Sequence, residues 1–170
     1  MRSLVAEIET YLLQLNDPHI ATVLEGMNKW ARGPVAPVQG CTLPVCDHLN
    51  AALQEMGKTS LAKAIADARP FLSWVSYDAY PREEIGARFA DNHAFASIIG
   101  EGCALAAEDF DLGLFLIAPN LFYRDHHHAA PELYAPLTGP MAGVSNQAIP
   151  LFGKTPMNLY GTKLGNPTQP

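Results

Sequence analysis

The apolar residues of this chain change their period near residue 70, and that change limits the folds open to it. From Leu4 to Leu15, the residues Leu4, Val5, Ile8, Leu12, Leu13 and Leu15 recur at helical spacing while Glu7, Glu9 and Gln14 fall opposite, which predicts an amphipathic helix. Asp17-Pro18 supplies a capping residue followed by proline, and Ile20, Val23, Leu24 and Met27 carry a second helical face as far as Gly33-Pro34. Further helices are expected from Cys46 to Met56, stopped by Gly57, and from Ser60 to Ala68, stopped before Pro70. The later segments Phe95 to Ile99, Leu112 to Ala118, Phe122 to His128 and Glu132 to Leu137 are short, aromatic or aliphatic, and separated by Gly, Pro, Asn and Asp, as strands are. Helices first and strands afterward predict an α+β or helix-plus-barrel arrangement, because the alternating signals of a parallel sheet are missing.

With 170 residues and 48% apolar side chains, the chain can bury one real core, so one compact domain is expected: 1–70 helical, 71–140 the strand core, 141–170 a tail. Lys and Arg number 11 against 17 Asp and Glu, and the net charge of -6 speaks against a nucleic-acid partner, which needs a basic stripe. Glu7 and Glu9 interrupt the apolar run after Met1-Arg2-Ser3, so no signal-peptide core forms, and no run reaches membrane-spanning length. Cys41, Cys46 and Cys103 are odd in number and lack metal-ligand spacing, which fits free thiols in a reducing cytoplasm.

The chemistry concentrates between Phe122 and Tyr134. On a strand, His126 and His128 project to one face while His127 points to the other. After the kinking Ala129-Ala130-Pro131, Glu132 and Tyr134 again share a parity, so a second strand can bring a carboxylate and a phenol to the same point. This set suits one divalent transition metal ion such as zinc, iron(II) or manganese. The competing reading is a solvated strand end with three adjacent histidines and a surface carboxylate, since short His-rich tracts are compositional evidence only.

His126-X-His128-X-X-X-Glu132-X-Tyr134, the following Pro136-Leu137-Thr138-Gly139-Pro140 and the upstream Tyr123 resemble the bacterial dimethylsulfoniopropionate (DMSP) lyases and lyase-like proteins, small metal-dependent cupins with a helical N-terminal part. A looser match runs back through Asp109-Phe110-Asp111-Leu112-Gly113-Leu114 to about Trp74. The resemblance implies a cupin-type barrel in which His126, His128 and Glu132 are metal ligands, Tyr134 is a ligand or the catalytic base, and Tyr123 is a second candidate base. It implies β-elimination of DMSP to dimethyl sulfide and acrylate. A sulfonium substrate prefers aromatic faces, for which Trp74, Tyr77, Tyr80 and Phe122 are candidates; each also reads as an ordinary packing residue. A cupin enzyme acting on another small carboxylate, or a non-catalytic metal-binding cupin, are the competing expectations.

The family pattern breaks after Pro140, where tryptophan-rich strands and a final histidine ligand should follow. No histidine follows His128, and Met141 to Pro170 is rich in glycine, proline and asparagine, a poor strand former. In the adjacent frame the codons of Gly143-Val144-Ser145 can hide Trp-Arg-Phe, those of Phe152-Gly153 and Tyr160-Gly161 can hide Val-Trp, and Asn166 to Gln169 can hide Pro-His-Ala-Thr. The tail is therefore expected to be family coding sequence read one base out of register, irregular in structure, leaving the barrel incomplete. An open sheet edge would result, and a second copy of the chain, in a homodimer, could cover it. His19, His48 and His93 lie outside the motif; His19 and His48, in predicted helices, are expected to be surface or packing residues, and Asp109 and Asp111 to serve turn geometry.

Overall fold

The computed structural model describes residues 1–15, 17–76, 82–121, 132–138 and 157–163, with positions 84, 85, 132 and 157–163 described by their backbone alone. Helices form where the apolar spacing predicts them. α1 (Arg2–Leu13) buries Leu4, Val5, Ile8 and Leu12, and α2 (Ile20–Trp30) buries Ile20, Val23 and Met27. α2 begins beyond Pro18 because Asp17 Oδ1 accepts the His19 N–H at 2.8 Å, closing a turn ahead of the helix instead of capping it. The helix expected from Cys46 is split: a 3₁₀ turn, Pro44–His48, leads into α3 (Leu49–Glu55). Pro44 fixes the backbone of that tight opening turn, and Gly57, at φ 70°, stops the helix. α4 (Ser60–Ala68) is capped by Thr59, whose Oγ1 accepts the Ala62 N–H at 3.1 Å. The single turns α5 (Arg82–Ile85) and α6 (Ala87–Ala90) carry no sequence signal.

The strands β1 (His93–Gly100), β2 (Leu105–Ala106), β3 (Phe110–Ile117), β4 (Glu132–Pro136) and β5 (Met157–Lys163) make one mixed sheet in the order β2-β1-β3-β5-β4. β1 and β3 pair antiparallel from His93↔Ile117 to Ile99↔Leu112, with a register shift between Ser97 and Ile99; β2 joins β1 in parallel. The architecture is thus α+β. The expected strand over Phe122 to His128, and the closure a cupin barrel needs, lie outside the described residues.

The expectation of an irregular tail fails at Met157–Lys163. That segment pairs with β3 on one side and β4 on the other. A weak intrinsic strand preference is outweighed when two ladders take up the backbone donors and acceptors on both edges.

The sheet has two different faces. Ala94, Ala96, Ile98, Leu112, Leu114 and Leu116 share one buried cluster with Leu4, Ile8 and Ile65 of the helices. The opposite face carries a second cluster, Phe89, Phe115, Ile117 and Leu121, against which Phe95 and Tyr134 pack. α2 lies so close to β3 that a Cβ at Gly26 would come within 2.4 Å of the Phe110 ring. Asp109, expected as a turn residue, anchors this helix: Trp30 Nε1–H donates to its Oδ1 at 2.7 Å and Lys29 Nζ to its Oδ2 at 2.8 Å. Among the described residues no helix is long and apolar enough to cross a membrane.

Candidate functional site

β4 is the strand that positions the candidate chemistry. Alternation puts positions 132, 134 and 136 on the face away from the helices, while Ala135 enters the helical core. The Tyr134 ring lies 5.6 Å from that of Phe115, tilted by 52°. Its row across the sheet runs Tyr134, Tyr160, Gly113, Ser97, and the next row runs Glu132, Thr162, Asp111. Paired residues of antiparallel strands project to the same side, so positions 132 and 111 share a face two strands apart, about 10 Å between backbones.

An aromatic group occupies the same face. Phe95 and Phe115 are stacked at 4.3 Å with 3° between their planes, and Phe89 meets Phe115 edge-on at 6.4 Å. His93, only 1% exposed, stacks on Phe89 at 4.3 Å, and its Nδ1–H donates to the Phe89 carbonyl at 2.7 Å. A carbonyl can only accept, so this bond fixes the proton on Nδ1. Burial lowers the His93 pKa, against smaller opposing effects from the Phe89 carbonyl and the Asp91 charge.

Toward the other end the face turns polar. Ser97 Oγ–H donates to Asp111 Oδ2 at 3.3 Å, so Asp111, expected to serve a turn, belongs instead to the body of β3. The Cys103 thiol is pushed up to about 11, first by burial and then by the negative charge of Asp111. Such a thiol is protonated near neutrality and is no nucleophile there.

The family described as dimethylsulfoniopropionate lyase matches residues 24–160. The chain belongs to the DMSP lyase family. It is accordingly an enzyme of the lyase class. The structure reported as DMSP lyase DddQ from Ruegeria pomeroyi DSS-3 superposes with a TM-score of 0.69 at 20% identity, covering 98% of this chain and 92% of that one. One reported among the DMSP lyases RdDddP and RnDddQII gives 0.65 at 18% identity, covering 98% and 93%. At that identity the likeness establishes the fold. No curated relative matches the sequence at a significant level.

Within this lyase-family member, the motif residues Tyr123, His126 and His128, and the aromatic candidates Phe122, Tyr77 and Tyr80, lie outside the described residues. Glu132 and Tyr134 fall on one face of β4, as their parity requires. Trp74 sits elsewhere: it is 1% exposed inside the helical core cluster, with its backbone N–H bonded to the Cys41 carbonyl at 3.0 Å, and packs as a core residue. Phe95, Phe115, Ser97 and Asp111 were legible only through the period-2 alternation of β1 and β3, which places them opposite the alanine and leucine positions.

Proposed function

We propose that the chain is a metal-dependent DMSP lyase that forms dimethyl sulfide and acrylate by β-elimination. The observation that supports this most directly is the face of β4: Tyr134 stands beside Phe115 with position 132 on the same side, so one strand places a phenol and a carboxylate position on a common face. That pairing fits a divalent transition metal ion, either zinc, iron(II) or manganese, held by His126, His128, Glu132 and Tyr134. When bound, the ion supplies positive charge that attracts the substrate carboxylate and lowers the pKa of a nearby phenol. Tyr134, or Tyr123, then takes the proton from the carbon next to the carboxylate. The electron pair of that C–H bond becomes the new C=C bond, and the C–S pair leaves on sulfur as neutral dimethyl sulfide. The half-buried setting of Tyr134 among Phe115 and its neighbours limits water around the departing proton.

Headspace measurement of dimethyl sulfide from DMSP, with metal-loaded and chelator-treated protein side by side, tests this reading. Release by the loaded protein, lost on chelation and restored by one metal, is the expected result. A folded, metal-bound protein that releases none would move the substrate assignment to another small carboxylate.

A further inference from the structure

The helices α1 and α2 leave a cavity of about 200 Å³ between them, in the layer that covers the face of the sheet opposite Tyr134. Val5 and Met27 form its buried floor, and the short side chains of Ala6 and Ala31 leave it unfilled. Its rim is charged. Arg2 begins α1, Arg32 lies just past the end of α2, and Glu9 stands two turns along α1 from Arg2. Arg2 is held in place: its Nη1–H donates to the Ala31 carbonyl at 3.2 Å and its Nη2–H to that of Gly33 at 2.7 Å, which leaves the remaining N–H groups of the guanidinium for a ligand. Among the described residues the ion pairs are Lys29–Asp109, Lys63–Asp67 and Arg82–Asp91, so Glu9 and Arg32 share the cavity without pairing. An unpaired cation and an unpaired anion around one small space fit a guest that carries both charges.

We propose that this cavity binds a small amino-acid zwitterion, with the carboxylate on Arg2 and Arg32 and the ammonium on Glu9 and the side-chain carbonyl of Asn28, which also lines it. Sites for drug-sized ligands enclose about 300–1,000 Å³, so this smaller one suits a guest of a few atoms and excludes a nucleotide. The separation of Arg2 and Glu9 along α1 is about 10 Å of helical rise. A charge-assisted hydrogen bond of about 2.8 Å at each end leaves about 4–5 Å for the guest, the span of a β-amino acid. Glu9 and Asn28 offer oxygens that accept hydrogen bonds, and the cavity has no aromatic ring. A primary ammonium, which donates N–H groups, is therefore favoured over a methylated onium, which donates none and prefers ring faces. The site stands apart from the face of β4, and its occupant differs in chemistry from the onium substrate of the lyase reading.

Calorimetric titration of the full chain with three probes tests the site without depending on turnover: β-alanine, propionate, which keeps only the carboxylate, and propylammonium, which keeps only the cation. β-Alanine is expected to bind at least about tenfold more tightly than either single-charge probe. Glu9→Gln should bring β-alanine down to the level of propionate while leaving propionate no weaker. Arg32→Gln should weaken β-alanine and propionate by about fivefold or more while leaving propylammonium unchanged. Arg2 is kept in both variants because it also holds the end of α2. Equal affinity for the three probes, or no binding of β-alanine to the native chain, overturns the proposal without recourse to a variant. Binding of β-alanine that neither Glu9→Gln nor Arg32→Gln alters belongs to another surface and overturns it as well.

Discussion

The phenolic hydroxyl of Tyr11 donates a 2.6 Å hydrogen bond to the carbonyl oxygen of Pro136, joining α1 to the last residue of β4. A bond between residues so far apart in sequence ties the helical part to the strand that carries Glu132 and Tyr134. Burial pushes the Tyr11 phenol up, so the donor stays protonated well into the alkaline range. Tyr11→Phe removes this bond at constant ring volume and should cost about 1 kcal/mol in urea unfolding, a thermal shift of about 2–4 °C. A midpoint equal to the native one would mean the contact does not anchor β4.

Gly26 allows α2 to lie on Phe110. Alanine gains about 1 kcal/mol of helix propensity, but its methyl would enter the Phe110 ring, and overpacking of this kind costs about 1–3 kcal/mol. Gly26→Ala should therefore be destabilising on balance, while Gly26→Ala combined with Phe110→Leu should recover part of the loss in the same unfolding measurement. An additive double variant would place the close approach elsewhere.

His93 makes stability depend on pH with a defined sign. Its folded pKa lies below the ordinary 6.5 because of burial. As pH falls through 6.5 the unfolded chain takes up a proton that the folded chain refuses, so stability drops on the acid side and is unaffected above it. Thermal midpoints of the native protein should fall more steeply between about pH 7 and about pH 5 than those of His93→Gln. Parallel slopes would assign the acid loss to other groups.

The strand expected over Phe122 to His128 would turn His127 away from His126 and His128. Glu132→Ala should abolish metal retention, read as metal content after dialysis, whereas His127→Ala should change it little. Equal losses would show that Phe122 to His128 is not an extended strand.

Residues whose roles follow from local period were readable in advance. The spacing of Leu4, Val5, Ile8 and Leu12 and the stop at Gly57 act within a few residues, and α1 and the end of α3 follow them. The shared parity of Glu132 and Tyr134 is of the same kind, and β4 bears it out in the backbone. The role of Asp109 was not readable, because it depends on Lys29 and Trp30 arriving from a helix remote in sequence. Trp74 shows the same limit: an aromatic residue near a motif is apolar whichever core receives it, and only the packing sends it to the helical side.

By itself the sequence determined the helices α1, α2 and α4, the strands β1, β3 and β4, and the family, since each is written in residue type and short-range spacing. The tertiary structure decided that Met157–Lys163 is a strand between β3 and β4, that Asp111, Gly113 and Phe115 share a face with Tyr134, and that Tyr11 closes onto Pro136. Those facts depend on which backbones meet. Pairing between distant segments is chosen by the total burial and hydrogen bonding of the folded sheet, not by the preference of any one segment.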